Sequence, residues 1–138
     1  MMATTTFTAE ERAAMKARAK ELKAAKSAGE DLAAVLAKIA EMDEADRAVA
    51  TRLHEIALDV EPSLGVRLWY GSPAYYHRGG LLFFFQDRGK FKTRYATLGF
   101  SDKASLDDGG MWPNSYAVAE LTPEVERQVR ELITRALG

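Results

Sequence analysis

Five consecutive apolar residues, Leu81 to Phe85, lie between two polar glycine-containing segments, Arg78-Gly79-Gly80 and Gln86-Asp87-Arg88-Gly89. Membrane spans take about 20 residues, so this run is far too short for one. Its three phenylalanines suit a strand better than one turn of helix. The run therefore predicts a strand buried on both faces. Glycine adopts positive φ without steric cost, so the segment before the run predicts a hairpin turn and the segment after it another. Val66 to Tyr70 alternates loosely and predicts a strand. Gly71-Ser72-Pro73 interrupts it as a bulge, bend or edge, because proline has no N–H to give a ladder. Ala74 to His77 continues it. Lys90 to Phe100 predicts the next strand, broken near Thr93. Strands joined by successive hairpins make an antiparallel meander.

Helical patterns flank this centre. Residues 1–7 predict a disordered start. Thr8 with Glu11 forms a capping box that opens a helix running to about Lys26. Its apolar stripe is thin (Met15, Ala19, Leu22, Ala25), and a cationic stripe of Arg12, Lys16, Lys20 and Lys23 lies beside it. Like charges four apart repel by about 0.2–0.5 kcal/mol, so this face is either simply solvated or met by a partner. Ser27-Ala-Gly-Glu predicts a break. Asp31 then caps a second helix with Leu32, Val35, Leu36 and Ile39 on one face. Asp43 caps a third, with Val49, Leu53, Ile56 and Val60 as its stripe, and Glu61-Pro62 stops it. Ser101 or Asp102 predicts a short helical turn to Leu106, and Met111 to Ala119 a short strand on the sheet edge. Thr122 caps the last helix, with Pro123 at its first position. Helices, strands, then a helix read as α+β: a small antiparallel sheet of three to five strands with helices mainly on one face. The expected division is 1–31, a disordered start and a basic helix, and 32–138, the α+β domain.

Composition narrows the function classes. A chain of 138 residues with 47% apolar and 28% charged residues suits one globular domain. No cysteine is present, which removes thiolate zinc sites and cysteine nucleophiles and is compatible with a reducing cytoplasm. A net charge of −1 argues against coating nucleic acid through bulk charge. The start, MMATTTFTAEE, lacks the basic-then-apolar pattern of a secretory leader. These features predict a cytoplasmic protein with no membrane attachment. No phosphate-binding loop, dinucleotide fingerprint, HExxH or GxSxG pattern occurs. Catalysis has little support: His77 with Asp107 or Asp108 is the least implausible arrangement.

Three constellations carry candidate chemistry. Lys90, Lys92 and Arg94 are spaced by two, so on a strand they share a face. With Tyr75, Tyr76 and His77 they would bind an anion or stack a ring; otherwise they protect an edge strand by charge. Trp69, Tyr70, Tyr75 and Tyr76 flank a bend and offer flat apolar surface with polar tips, either a small-molecule pocket or the plug at one end of the core. Glu41, Asp43, Glu44 and Asp46 cluster at a helix start, while Glu55 and Asp59 lie four apart on one helix face. Oxygen-rich sets attract hard cations, or form a solvated acidic face.

The segment Leu68-Trp-Tyr-Gly-Ser-Pro-Ala-Tyr75, following a helical hairpin that ends in Glu61-Pro-Ser-Leu, resembles the YdhG-like family of small bacterial proteins. There a tryptophan, then a proline shortly before an aromatic residue, opens a β-meander. Leu82-Phe-Phe-Phe85 and the C-terminal helix also fit, and the likeness covers roughly residues 32–137. The family is largely of unknown function, with some members described as frataxin-like iron chaperones. The resemblance implies an α+β sandwich that binds iron through surface carboxylates and passes it to a partner. The resemblance assigns no particular iron ligands; Glu55 and Asp59, four apart on one helix face, are the metal candidates from the residues themselves. The alternative is a module for an anionic small molecule or protein partner, or for a second copy of the chain against the first helix.

Overall fold

The computed structural model describes residues 7–138. The expectation of a disordered start therefore lies outside the described residues except at Phe7, which is exposed. The order of elements is α1 (Ala9–Ala40), α2 (Glu44–Val60), β1 (Gly65–Trp69), β2 (Ser72–His77), β3 (Gly80–Gln86), α3 (Arg88–Phe91), β4 (Ala96–Phe100), β5 (Ser115–Val118) and α4 (Pro123–Leu137). The five strands form one antiparallel sheet in sequence order. Helices α1, α2 and α4 contribute Val35, Ile39, Leu53, Ile56, Val129 and Ile133 to one core with Tyr75, Phe83, Phe85 and Leu98 of the sheet. The fold is α+β with its helical layer on one sheet face, as expected.

The first sixty residues correct the sequence reading. Residues 9–40 form one helix of 32 residues, with no break at Ser27-Ala-Gly-Glu. A glycine inside a helix costs only about 1 kcal/mol, and the packed turns that follow Gly29 continue the helix across it. The division at 31/32 thus falls within α1. Thr8 does cap it, its Oγ1 accepting from the Glu11 N–H at 3.0 Å. Asp43 occupies the N-cap position of α2 but makes no side-chain capping bond.

The meander has tighter turns than expected. Tyr70 and Gly71, at φ 49° and 74°, form a two-residue turn, so Gly65–Trp69 and Ser72–His77 are two paired strands rather than one interrupted strand. Arg78 and Gly79, at φ 51° and 81°, do the same between β2 and β3. Paired positive φ values match the right-handed twist of flanking strands. Pro73 lies opposite Leu68 in β2, although β2 is an interior strand. The closing pair Trp69↔Ser72 exchanges hydrogen bonds, so at the next position the missing N–H faces β3. There the β3 ladder begins only with Ala74↔Phe84, and no bond is lost.

A bulge explains the unbroken apolar run. Tyr75 pairs with Phe83 and Tyr76 with Leu81, leaving Leu82 as the extra residue. The bulge turns Leu82 to the same side as Phe83 and Phe85, and all three enter the core. Phe84 takes the other face, half-buried against Trp69 at 4.7 Å between ring centroids. Gly99 lies opposite Phe84, and any Cβ there would strike the ring. The two faces are therefore unequal, not both buried.

The strand expected over Lys90–Phe100 begins only at Ala96. Asp87 caps a single helical turn, α3, accepting from the Lys90 N–H at 3.1 Å, and Lys92 ends it at φ 54°. Asp46, 1% exposed, reaches across from α2: its carboxylate accepts from Arg88 Nε and the Gly89 N–H, both at 3.1 Å. A buried carboxylate needs such partners, and meeting them fixes the segment as a turn. Residues 101–106 form turns rather than a helical turn. Ser105 N–H bonds the Ala136 carbonyl, tying this segment to the end of α4. Thr122 caps α4 through the Val125 N–H at 3.2 Å, with Pro123 as its first residue.

Candidate functional site

The predicted aromatic and basic residues fall into four separate places. Tyr75 lies in the core at 1% exposure, stacked on Phe83 at 4.7 Å between centroids. Its hydroxyl shares a 2.9 Å hydrogen bond with His54 Nδ1, and burial pushes its pKa upward. It offers no surface to a ligand. Trp69 and Tyr70 form a corner at the β1–β2 turn, their rings edge to face at 4.9 Å. Lys90 joins that corner, donating from Nζ to the Tyr70 carbonyl at 2.6 Å. Lys92 and Arg94 lie on the exposed segment beyond it, Arg94 over the Tyr95 ring at 5.4 Å. The three cations therefore do not share a strand face: Lys90 is in α3, Lys92 ends it, and Arg94 precedes β4.

Tyr76 and His77 stand at the opposite end of β2. The Arg67 guanidinium lies 4.0 Å from the centroid of the Tyr76 ring. The hairpin register builds this contact, because Arg67 pairs with Ala74 and Tyr76 is its diagonal neighbour on the same face. A cation over a ring at a partly exposed site stabilises by about 0.5–1 kcal/mol. These two residues line a cleft of about 430 Å³ between α1 and the free edge of β1, together with Asp31, Ser63 and Arg78. Small-molecule clefts occupy roughly 300–1,000 Å³. Two guanidinium groups give this one a positive wall, the ring a flat surface, and Asp31 an acceptor. At its rim the Glu61 carboxylate accepts from the Ser63 N–H at 3.3 Å. That bond, with smaller contributions from the charges of His77 and Arg78, holds the Glu61 carboxyl below the usual range.

The carboxylate candidates face cations. Asp59 Oδ2 accepts from Arg130 at 2.6 Å, and Glu55 lies 3.8 Å from Arg52, which also binds Glu126 at 2.8 Å. No group of three or more metal-ligating side chains that could hold an ion gathers among the described residues. Asp46 and Asp43 belong to the α2–α3 junction, where Asp46 holds Arg88.

Arg67, Arg78, Asp31 and Ser63 were not among the site residues expected from the sequence, where Asp31 figured only as a helix cap and Arg78 only in a turn. A hairpin turn at Tyr70-Gly71 would have revealed the Arg67–Tyr76 contact, since that register follows from the turn alone. Asp31 carries no such signal, because its place in the cleft depends on how α1 crosses the sheet. What these observations define is a class: an α+β domain with a one-sided helical layer and a basic, aromatic cleft at the sheet edge. No family model, curated protein or solved structure matches the chain.

Proposed function

We propose that the protein is a non-enzymatic binding module for an anionic small molecule, held in the cleft between α1 and the β1 edge. The observation that carries this is the Arg67 guanidinium laid over Tyr76 at 4.0 Å on the wall of a cleft that Arg78 also lines. Stacking restricts the Arg67 plane and leaves its outer N–H groups to grip a carboxylate or phosphate in a fork. Asp31 favours a ligand that carries a hydrogen-bond donor besides its acid group. The iron-carrier expectation has no comparable support, because Glu55 and Asp59 each face an arginine.

Thermal-shift measurements with inorganic phosphate, nucleoside phosphates and small hydroxy acids test the proposal. A compound that binds only the folded state stabilises it by about 2.7 kcal/mol at a hundred times its dissociation constant. At least one of these acids should raise the melting temperature, and Arg67→Gln with Arg78→Gln should abolish that rise while lowering the ligand-free stability by no more than about 0.5–1 kcal/mol, the worth of the lost Arg67–Tyr76 contact. Silence across the whole panel, or a rise that survives the double substitution, rejects the proposal.

A further inference from the structure

The first half of α1 stands apart from everything above. Every residue from Phe7 to Glu30 is exposed, while Val35 and Ile39 further along the same helix are buried. At 1.5 Å per residue, the exposed helical part is about 33 Å long. Residues 12–26 hold six cations (Arg12, Lys16, Arg18, Lys20, Lys23, Lys26) and one anion, Glu21, a local charge of +5. The whole chain carries −1, so the remainder carries −6. Net charge therefore hides a segregated molecule. At 3.6 residues per turn, Arg12, Lys16, Lys20, Lys23 and Lys26 fall within an arc of about 120°, on roughly the opposite side from Val35 and Ile39. Among the described residues, no salt bridge engages any of those five cations.

We infer that this cationic face of α1 binds double-stranded DNA through its phosphates. DNA presents one negative charge per about 1.7 Å of its axis, a line of charge that matches a line of lysines. A bare helix about 10–12 Å across also fits the B-form major groove, about 12 Å wide. Ala13, Ala17, Ala19 and Ala24 keep α1 slender between its cations. The competing occupants fit less well. A membrane surface wants an apolar face, yet Met15 and Leu22 are the only large apolar residues between Ala9 and Glu30, and no aromatic ring is present. The body of a second copy is also acidic, but its −6 is spread over the rest of the chain and Asp46, Asp59, Glu124 and Glu126 are already paired to arginines, so its charge is far less dense than that of the DNA backbone. The A-form major groove of duplex RNA is too narrow for a helix. The contacts proposed for these lysines and arginine go to phosphates, which carry no sequence information, so binding should tolerate any sequence.

The test is fluorescence anisotropy of a labelled mixed-sequence duplex of about two helical turns (~20 base pairs), titrated with the full chain. Five phosphate contacts give a slope of about −4.5 in log affinity against log salt, so affinity should fall about 500-fold between roughly 50 and 200 mM salt. Lys16→Gln with Lys20→Gln and Lys23→Gln should flatten the slope to about −1.8, with helicity by circular dichroism retained. Lys92→Gln with Arg94→Gln should leave it unchanged. The inference fails if no anisotropy change occurs at about 50 mM salt, or if the triple variant keeps the full slope. It fails equally if an RNA duplex of the same length binds as tightly, or if the chain sediments with phosphatidylserine vesicles while leaving DNA unbound. None of these results touches the Arg67 cleft, which answers to small acids and not to Lys16, Lys20 and Lys23.

Discussion

The two halves of α1 share one backbone geometry and almost nothing else. Residues 31–40 place Val35 and Ile39 against the sheet and α2, and belong to the core. Residues 9–30 are all exposed, contribute nothing to the buried core, and are held as helix by local forces: the Thr8 cap, the Ala, Leu, Lys and Glu content, and continuity with a turn already formed. Starting a helix is the unfavourable step, and extending one costs little. The packed half supplies the start, so the exposed half persists although it buries nothing. A helix in a structure is thus not evidence of packing, and only burial separates the half that stabilises the fold from the half that presents a surface.

The largest expected effect breaks this symmetry directly. Ile39 is 4% exposed in the core, and Ile39→Ala removes its side chain and leaves a cavity, which costs about 2–5 kcal/mol. Leu22 is 58% exposed, and Leu22→Ala should change stability by no more than about 0.5 kcal/mol. Urea unfolding followed by tryptophan fluorescence measures both in one format. Comparable losses for the two substitutions would mean that the exposed half is packed against something in solution, and the comparison would collapse.

The distinction was only half legible in the sequence. The thin stripe of Met15, Ala19, Leu22 and Ala25 shows that little is buried there, and the 3.6-residue pattern of Val35, Leu36 and Ile39 shows that something is. The fold class followed from such periodicities and from turn chemistry at Arg78-Gly79 and Pro123. What did not follow was set by long-range contacts. Asp46 determines that Lys90–Arg94 is a turn, and it lies more than forty residues away. The bulge at Leu82 is decided by pairing with β2, not by the run itself. Of the candidate site, Tyr76 and the idea of a basic, aromatic surface were accessible, but the cations were assigned to Lys90, Lys92 and Arg94 instead of Arg67 and Arg78. The difference came from reading Gly71-Ser72-Pro73 as the interruption instead of Tyr70-Gly71 as a two-residue turn, which hid the register that stacks Arg67 on Tyr76.

A smaller effect sharpens the junction between the halves. Gly29 has ordinary helical φ, and a Cβ there would meet nothing within 4 Å. Gly29→Ala should therefore favour helix by about 0.5–1 kcal/mol. Because the gain is local, it should appear as slower amide hydrogen exchange over residues 13–28, up to about fivefold, with the urea midpoint of the domain nearly unmoved. An equal gain in both measurements would show that the exposed half unfolds together with the core rather than ahead of it.

The smallest effect tests the packed layer by charge instead of volume. His54 of α2 shares its Nδ1 hydrogen bond with Tyr75 beneath the helical layer, and burial lowers its pKa below the ordinary value of 6.5, against a smaller opposing pull from Glu55. A depressed histidine pKa means that the unfolded chain binds the proton more readily than the folded one. Above about pH 6.5 both states hold His54 neutral and its contribution is complete. As the pH falls through 6.5 toward the lower folded value, the unfolded state gains protons first and stability declines; below the folded value the difference is constant. The urea midpoint should therefore drop over that window, and His54→Gln, which keeps a hydrogen-bonding group near Tyr75, should remove that part of the drop. The helicity of residues 9–30 should not follow His54, because every residue of that half is exposed. If it did follow, the two halves of α1 would be coupled through the core, and the exposed helix would be a sensor of the fold instead of a surface carried by it.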